Sequence, residues 1–254
     1  MTVSPLGLSE GLTLHRLADR PDLVGGVHAL GREVWPRFMM QGSAGEAFYD
    51  EMDTTFADCA LVVVDMEGEV VCRVLWVPFA WDGQLPLPDR GWDWVIEAGT
   101  ADRRAGRACT AASALEIGIH PSLRGGGLSG ILLAHMRKAA AEGGATDLFA
   151  PVRPNGKHRV PQEPMADYLK RVRGDGLPDD GWLRVHARAG AEILGPCEQS
   201  MLIEGSVADW RQWTGVDLSV PGEHVVPLAL APVVSDGQRA VYTEPNVWVR
   251  HRLT

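Results

Sequence analysis

Between residues 116 and 130 the chain gathers a carboxylate, an imidazole, a guanidinium and a run of glycines. These are Glu116, His120, Arg124, then Gly125, Gly126 and Gly127, with Gly130 close behind. A glycine-rich stretch lets the backbone approach a bound group closely. An arginine at its head can hold two oxyanion oxygens with its planar fork. Placed at the start of a helix, such a loop suits phosphate. A flexible turn that happens to precede a helix is the plain alternative. A second concentration of charge lies between residues 153 and 173, where Arg153, Lys157, Arg159, Lys170, Arg171 and Arg173 face only Glu163 and Asp167. In an acidic chain this points to an anion, either a phosphate or a substrate carboxylate. A solvated face is the alternative.

These residues need a strand, a loop and a helix in that order. Residues 114–119, ALEIGI, read as a short strand that ends at His120 and Pro121. Its alternation puts Glu116, Gly118 and His120 on one face. From Leu128 the apolar residues recur at helical spacing through Ile131, Leu132, Met136 and Ala139, and Gly143 with Gly144 ends the helix.

The flanking chain adds further elements. Residues 11–17 alternate as a strand, 19–40 read as a helix that Pro36 ends or kinks, and 45–57 read as a second helix. Residues 59–65 and 69–77, joined by Met66, Glu67 and Gly68, read as a hairpin. Residues 82–109 are rich in Gly, Pro, Asp and Arg, with Trp92 and Trp94. They read as a long connection, either a cover over a site or a surface loop anchored by tryptophans. Residues 146–152 read as a strand, 164–173 as a helix, 182–191 as a short helix and 198–204 as a strand. Residues 207–254 hold one possible helical turn at 208–213 and short β-like runs among four prolines. This segment is too apolar for a disordered tail and is expected to pack on the domain or on a second subunit.

The string from Ile119 to Gly130, IHPSLRGGGLSG, resembles the acyl-CoA-binding motif of the GCN5-related N-acetyltransferase (GNAT) superfamily. Arg124 and Gly127 match it, and Ser129 stands where the family has its last small residue. The order of elements resembles the same fold from about Leu12 to Gly205. The resemblance implies an α/β fold with a mixed, mostly antiparallel central sheet flanked by helices. A splayed strand pair would form the acyl-CoA site, with a C-terminal β-rich extension. Residues 1–205 would be the acyl-CoA-binding domain and 206–254 the extension. The motif is neither a nucleotide P-loop nor a dinucleotide fingerprint.

The resemblance also implies roles. The backbone of Ile117, Gly118 and Ile119 would pair with the pantetheine arm. Arg124, Gly125, Gly126, Gly127, Leu128, Ser129 and Gly130 would hold the pyrophosphate. Glu116 would be a base acting through water, or else a strand carboxylate paired with an arginine. The family's usual general acid is a tyrosine four residues before a late-helix glycine; His186, before Gly190, stands there instead. His186 is then the candidate acid, with packing as its alternative, and Tyr168 is the fallback. His120 reads as capping the turn. The activity implied is acyl transfer, most simply acetyl from acetyl-CoA to a small-molecule amine. Rival readings are transfer to another nucleophile or a carrier-protein thiol, and a non-catalytic acyl-CoA binder.

Composition sets the outer bounds. The chain has 254 residues, 45% hydrophobic, and a net charge of −9. That charge argues against general nucleic-acid or anionic-membrane binding. Cys59, Cys72, Cys109 and Cys197 lack metal-ligand spacing and read as free thiols in a reducing compartment. No metal site is expected. The N-terminus has no leader pattern, so the expected setting is the cytoplasm, with a homodimer possible.

Overall fold

The computed structural model describes residues 7–253. The first six residues of the N-terminal stretch read for a leader lie outside the described residues. The hairpin expected from residues 59–77 is β2 (Ala60–Val64) and β3 (Val70–Phe79), antiparallel and almost wholly buried. β1 (Thr13–Arg16) pairs with β2, and β4 (Ala111–Ile119) with β3. β5 (Asp147–Val152) follows, then β6 (Glu192–Ser206), β7 (Gly222–His224), β8 (Val233–Ser235) and β9 (Arg239–Arg252). The described residues form one sheet in the order β1-β2-β3-β4-β5-β9-β8-β7, with β6 paired to β9. The only parallel pair in that sheet is β4 with β5. The segment expected as an extension thus joins the sheet: β9 runs between β5 and β6.

The first expected helix is shorter than residues 19–40. Two 3-10 turns precede α1 (Val24–Val34), and Pro36 separates it from another 3-10 turn, Arg37–Gln41. The missing proline N–H explains the break. α2 (Ser43–Glu51) matches the second helix in part. Residues 82–109 are not a structureless loop. They hold α3 (Gly91–Arg104), 14 residues whose Trp92, Val95, Ile96 and Gly99 form a buried stripe. α4 (Leu128–Glu142) is the motif helix. Pro161 and Pro164 leave only four helical residues, α5 (Met165–Tyr168), of the helix expected at 164–173. α6 (Gly181–Arg188) starts at Asp180, whose side chain accepts from the Trp182 and Leu183 amides. α7 (Val207–Thr214) opens with a reciprocal capping box between Ser206 and Asp209. No helix of the described residues is long and apolar enough to cross a membrane.

The helices cover opposite faces of the sheet. α6 packs with Ala150, Val152, Val247 and Val249 through Leu183, and Arg137 of α4 donates to Ala189 at its end. Strand alternation sends Glu244, Asn246 and Trp248 to the other face. There Trp248 meets Trp94 of α3, and Tyr242 meets Phe38. α1 and α2 share that second face, where Arg73 of β3 donates to the Val27 carbonyl of α1.

Candidate active site

The sheet comes apart where the parallel strands meet. β4 and β5 pair only at Ala111↔Asp147, Ala112↔Leu148 and Ser113↔Phe149. β4 then continues to Ile119 and β5 to Val152 without pairing to each other. The other edge of β4 stays bonded to β3 as far as Cys72↔Ile119. Ile117, Gly118 and Ile119 therefore line a gap with one strand edge unclaimed by the ladder. Just above the last pair, the register slips and Leu115 bulges. The Leu115 carbonyl accepts from the Trp92 indole at 3.1 Å, which ties α3 to the bulge.

The glycine loop sits at the open end of this gap. Gly125 and Gly127 have φ of 84° and 81°, a region that side chains disfavour. Gly127 caps α4 from the left-handed conformation, and no side chain caps the helix. The Gly130 amide turns back on the Gly127 carbonyl at 3.2 Å, the first-turn amides of Leu128 and Ser129 are left to an external acceptor, and the helix dipole favours an anion there. Exposed Arg124 donates Nε to the Ile119 carbonyl at 3.2 Å, folding the loop back on the end of β4. His120 caps the intervening turn through the Ser122 amide and lies 3.2 Å from Glu33. The ten residues expected at the acyl-CoA site run from the last three residues of β4 through the loop to the first turn of α4.

Glu116 is differently placed than a water-linked base requires. Its Oε1 accepts from Arg73 Nε at 2.7 Å; its Oε2 accepts from Arg73 Nη2 at 2.6 Å and from Tyr49 Oη at 2.9 Å. Both side chains of the ion pair are sealed, at 2% and 1% exposure. Two glycines make the room. A Cβ on Gly31 would lie 2.2 Å from Arg73 Nη1, and one on Gly118 would lie 2.7 Å from Glu116 Oε1. Of the two readings open for Glu116, a base acting through water and an arginine-paired strand carboxylate, the pairing is the one seen.

His186 is likewise committed to packing. Its Nδ1 is 2.9 Å from Nε2 of His251 on β9, and Trp182 stands edge-on to its ring. Burial pushes His186 down to about 3 and His251 down to about 4, so both are neutral at pH 7. Of the two readings open for His186, packing against a second imidazole is the one seen. The fallback, Tyr168, donates to Asp180 Oδ2, and burial raises its pKa. It braces the start of α6.

The basic segment is mostly paired. Lys157 is buried and donates to the carbonyls of Val160, Pro161 and Leu230; Lys170, Arg171 and Arg173 pair with Asp167, Glu163 and Asp175. Arg153, directly after β5, donates Nε to both oxygens of Glu244 at 3.1 and 2.9 Å. Tyr242 and Asn246 also donate to Glu244, which is fully buried. Buried Arg–Glu pairs thus flank the gap on the α3 face, Arg73–Glu116 on the β4 side and Arg153–Glu244 on the β5 side. Sequence reasoning missed Arg73, Tyr49 and Glu244. An arginine in the otherwise apolar run 70–77 was the available signal, because a buried guanidinium requires a partner.

A sheet split at a parallel pair, a bulge at the vertex and an uncapped glycine-headed helix at the mouth make up a GNAT-type fold. No family model matches the chain. It is similar along nearly its whole length to the arginine N-acetyltransferase avaD of Aspergillus versicolor, at 29% identity over 281 aligned positions, 98% of this chain and 96% of the relative. Among solved structures, the loading GNATL domain of CurA from Lyngbya majuscula superposes with a TM-score of 0.65 at 17% identity, covering 95% of this chain and 98% of that one. The GphF GNAT-like decarboxylase in complex with isobutyryl-CoA follows, with a TM-score of 0.57 at 17% identity over 96% and 99%. These likenesses support an acetyltransferase.

Proposed function

We propose that the protein transfers an acetyl group from acetyl-CoA to the amine of a small molecule. The observation that carries this reading is the gap between β4 and β5, with the glycine-headed start of α4 at its mouth. The pyrophosphate would lie on the amides of residues 125–130 beside Arg124. The pantetheine arm would replace the missing ladder along Ile117, Gly118 and Ile119, and one of those amides would donate to the thioester oxygen. The acceptor would approach from the α3 face. Its nitrogen lone pair forms the C–N bond, the C–S bond breaks, and the proton lost by the amine ends on the CoA thiolate. With Glu116 and His186 both committed, no side chain is assigned the proton, so the amine reacts as its free base. The rate should climb with pH along the titration of the acceptor itself. The arginine-acetylating relative supports an amine acceptor. The four free cysteines support a reducing, cytoplasmic setting.

A second reading, transfer to a non-amine or carrier-protein acceptor, is favoured by one observation: neither proton-handling candidate is open to the gap. Thiol release from acetyl-CoA with an amine panel decides between the two. Release that depends on an amine supports the first. Release only with a pantetheinyl carrier supports the second. The absence of a thermal shift at millimolar CoA would defeat both.

A further inference from the structure

We propose that Arg153 binds a carboxylate on the acceptor, so that the acceptor is an amino acid and not a simple amine. This rests on the acyltransferase reading above and narrows its substrate class. Arg153 extends from the end of β5 at the open end of the gap. Its Nε is held by Glu244, and its Nη2 donates to the Leu228 carbonyl at 2.5 Å. Nη1 makes no hydrogen bond among the described residues, and the side chain keeps 18% exposure beside a carboxylate that has none. The guanidinium is therefore fixed on one edge and open on the other.

Its surroundings make the fixed edge rigid. Glu244 is held by Tyr242 Oη and Asn246 Nδ2, both at 3.0 Å, and Asn246 accepts from Ser200, which in turn accepts the Trp92 amide of α3. The Leu230 amide donates to Tyr242 Oη, and Lys157 holds the Leu230 carbonyl. A positioned guanidinium loses little freedom on accepting a carboxylate, so its remaining N–H edge recognises one efficiently. Leu228 itself has φ of 69°, a costly conformation for a leucine that aims its carbonyl at Arg153.

The face decides which anion. α4, whose first turn takes the pyrophosphate in the proposed function, lies on the opposite side of the sheet from Glu244. An arginine fixed to Glu244 faces the acceptor side, across the gap from Tyr49 and Glu116. The anion it meets there is a carboxylate carried by the acceptor, with the acceptor amine nearer the vertex.

The test compares arginine with agmatine, its decarboxylated analogue, and lysine with cadaverine. Arg153→Ala would strand Glu244 in the core, so Arg153→Lys and the paired Arg153→Met/Glu244→Gln variant carry the experiment, each checked for folding by circular dichroism. The parent is expected to bind the amino acids at least about tenfold more tightly than the diamines in calorimetry with CoA present, and both variants to lose that preference. Equal affinity for arginine and agmatine, or a preference that survives both variants, overturns the inference. Turnover is read separately by thiol release: a carboxylate preference in binding with no release on any acceptor would leave this inference standing and remove the function above.

Discussion

Arg73 and Glu116 grip each other through two hydrogen bonds, 2.7 Å from Nε to Oε1 and 2.6 Å from Nη2 to Oε2, beneath the bulge of β4. Neither side chain meets water. The pair joins β3 to β4 and, through Tyr49 and the Val27 carbonyl, carries α2 and α1 with it. Its first consequence is for stability. Arg73→Met or Glu116→Leu alone strands a buried charge and is expected to cost about 3–5 kcal/mol, whereas the double variant recovers most of that loss. Urea midpoints at constant slope measure it. A double variant as unstable as the singles would show that geometry, not charge burial, sets the cost.

The glycine loop gives a second expectation. Arg124→Ala should weaken CoA binding by about 10- to 100-fold, the range for losing a charge-assisted contact to phosphate. Calorimetry with CoA and with pantetheine separates the effect. Pantetheine lacks the pyrophosphate and should bind parent and variant alike. Equal loss for both ligands would place Arg124 away from the phosphates.

The neutral His186–His251 pair predicts acid sensitivity. Both folded pKa values are depressed, to about 3 and about 4, so below pH 6.5 the unfolded chain binds protons that the folded chain refuses. Stability from the pair is full above pH 6.5 and falls as pH drops toward 4, by up to about 1.4 kcal/mol per pH unit for each histidine. His186→Phe should flatten this part of the pH–stability curve. A slope unchanged by the substitution would assign the acid sensitivity to other groups.

α3 offers a further test. A Cβ on Gly99 would lie 2.3 Å from Val77 and 2.8 Å from the Pro78 carbonyl. Gly99→Ala should lift α3 from β3 and cost about 1–3 kcal/mol. Gly25, inside α1 with nothing within 4 Å of its Cβ position, is the control: Gly25→Ala should stabilise by about 0.4–1 kcal/mol. Loss of stability in both would mean that the Gly99 result does not report on α3.

The strand, glycine loop and helix of the motif were legible because their signals are local. The run from Leu115 to Gly130 states its own strand, turn and helix, and the structure keeps them in place. α3 was not legible: glycine, aspartate and arginine dominate residues 82–109, and its apolar stripe has meaning only against β3 and β6. Glu116 and His186 were found as residues but not as partners. Arg73 is 43 residues from Glu116 and His251 is 65 from His186, and no local pattern reports such pairings. The same holds for β9, whose run 246–250 reads as a strand while its neighbours in the sheet lie far away in sequence.

That placement of β9 governs the order in which the molecule can assemble. β5 has β4 on one side over three residue pairs only, and its other edge waits for residues 247–252. β6 waits for the same strand. Until β9 docks, β5 and β6 expose unpaired edges, and the gap between β4 and β5 has nothing to hold its far wall upright. Contacts this distant in sequence are slow to form and leave edges open to mispairing. The gap between β4 and β5 is therefore completed late in folding, and a chain cut after residue 238 should aggregate without ever assembling it.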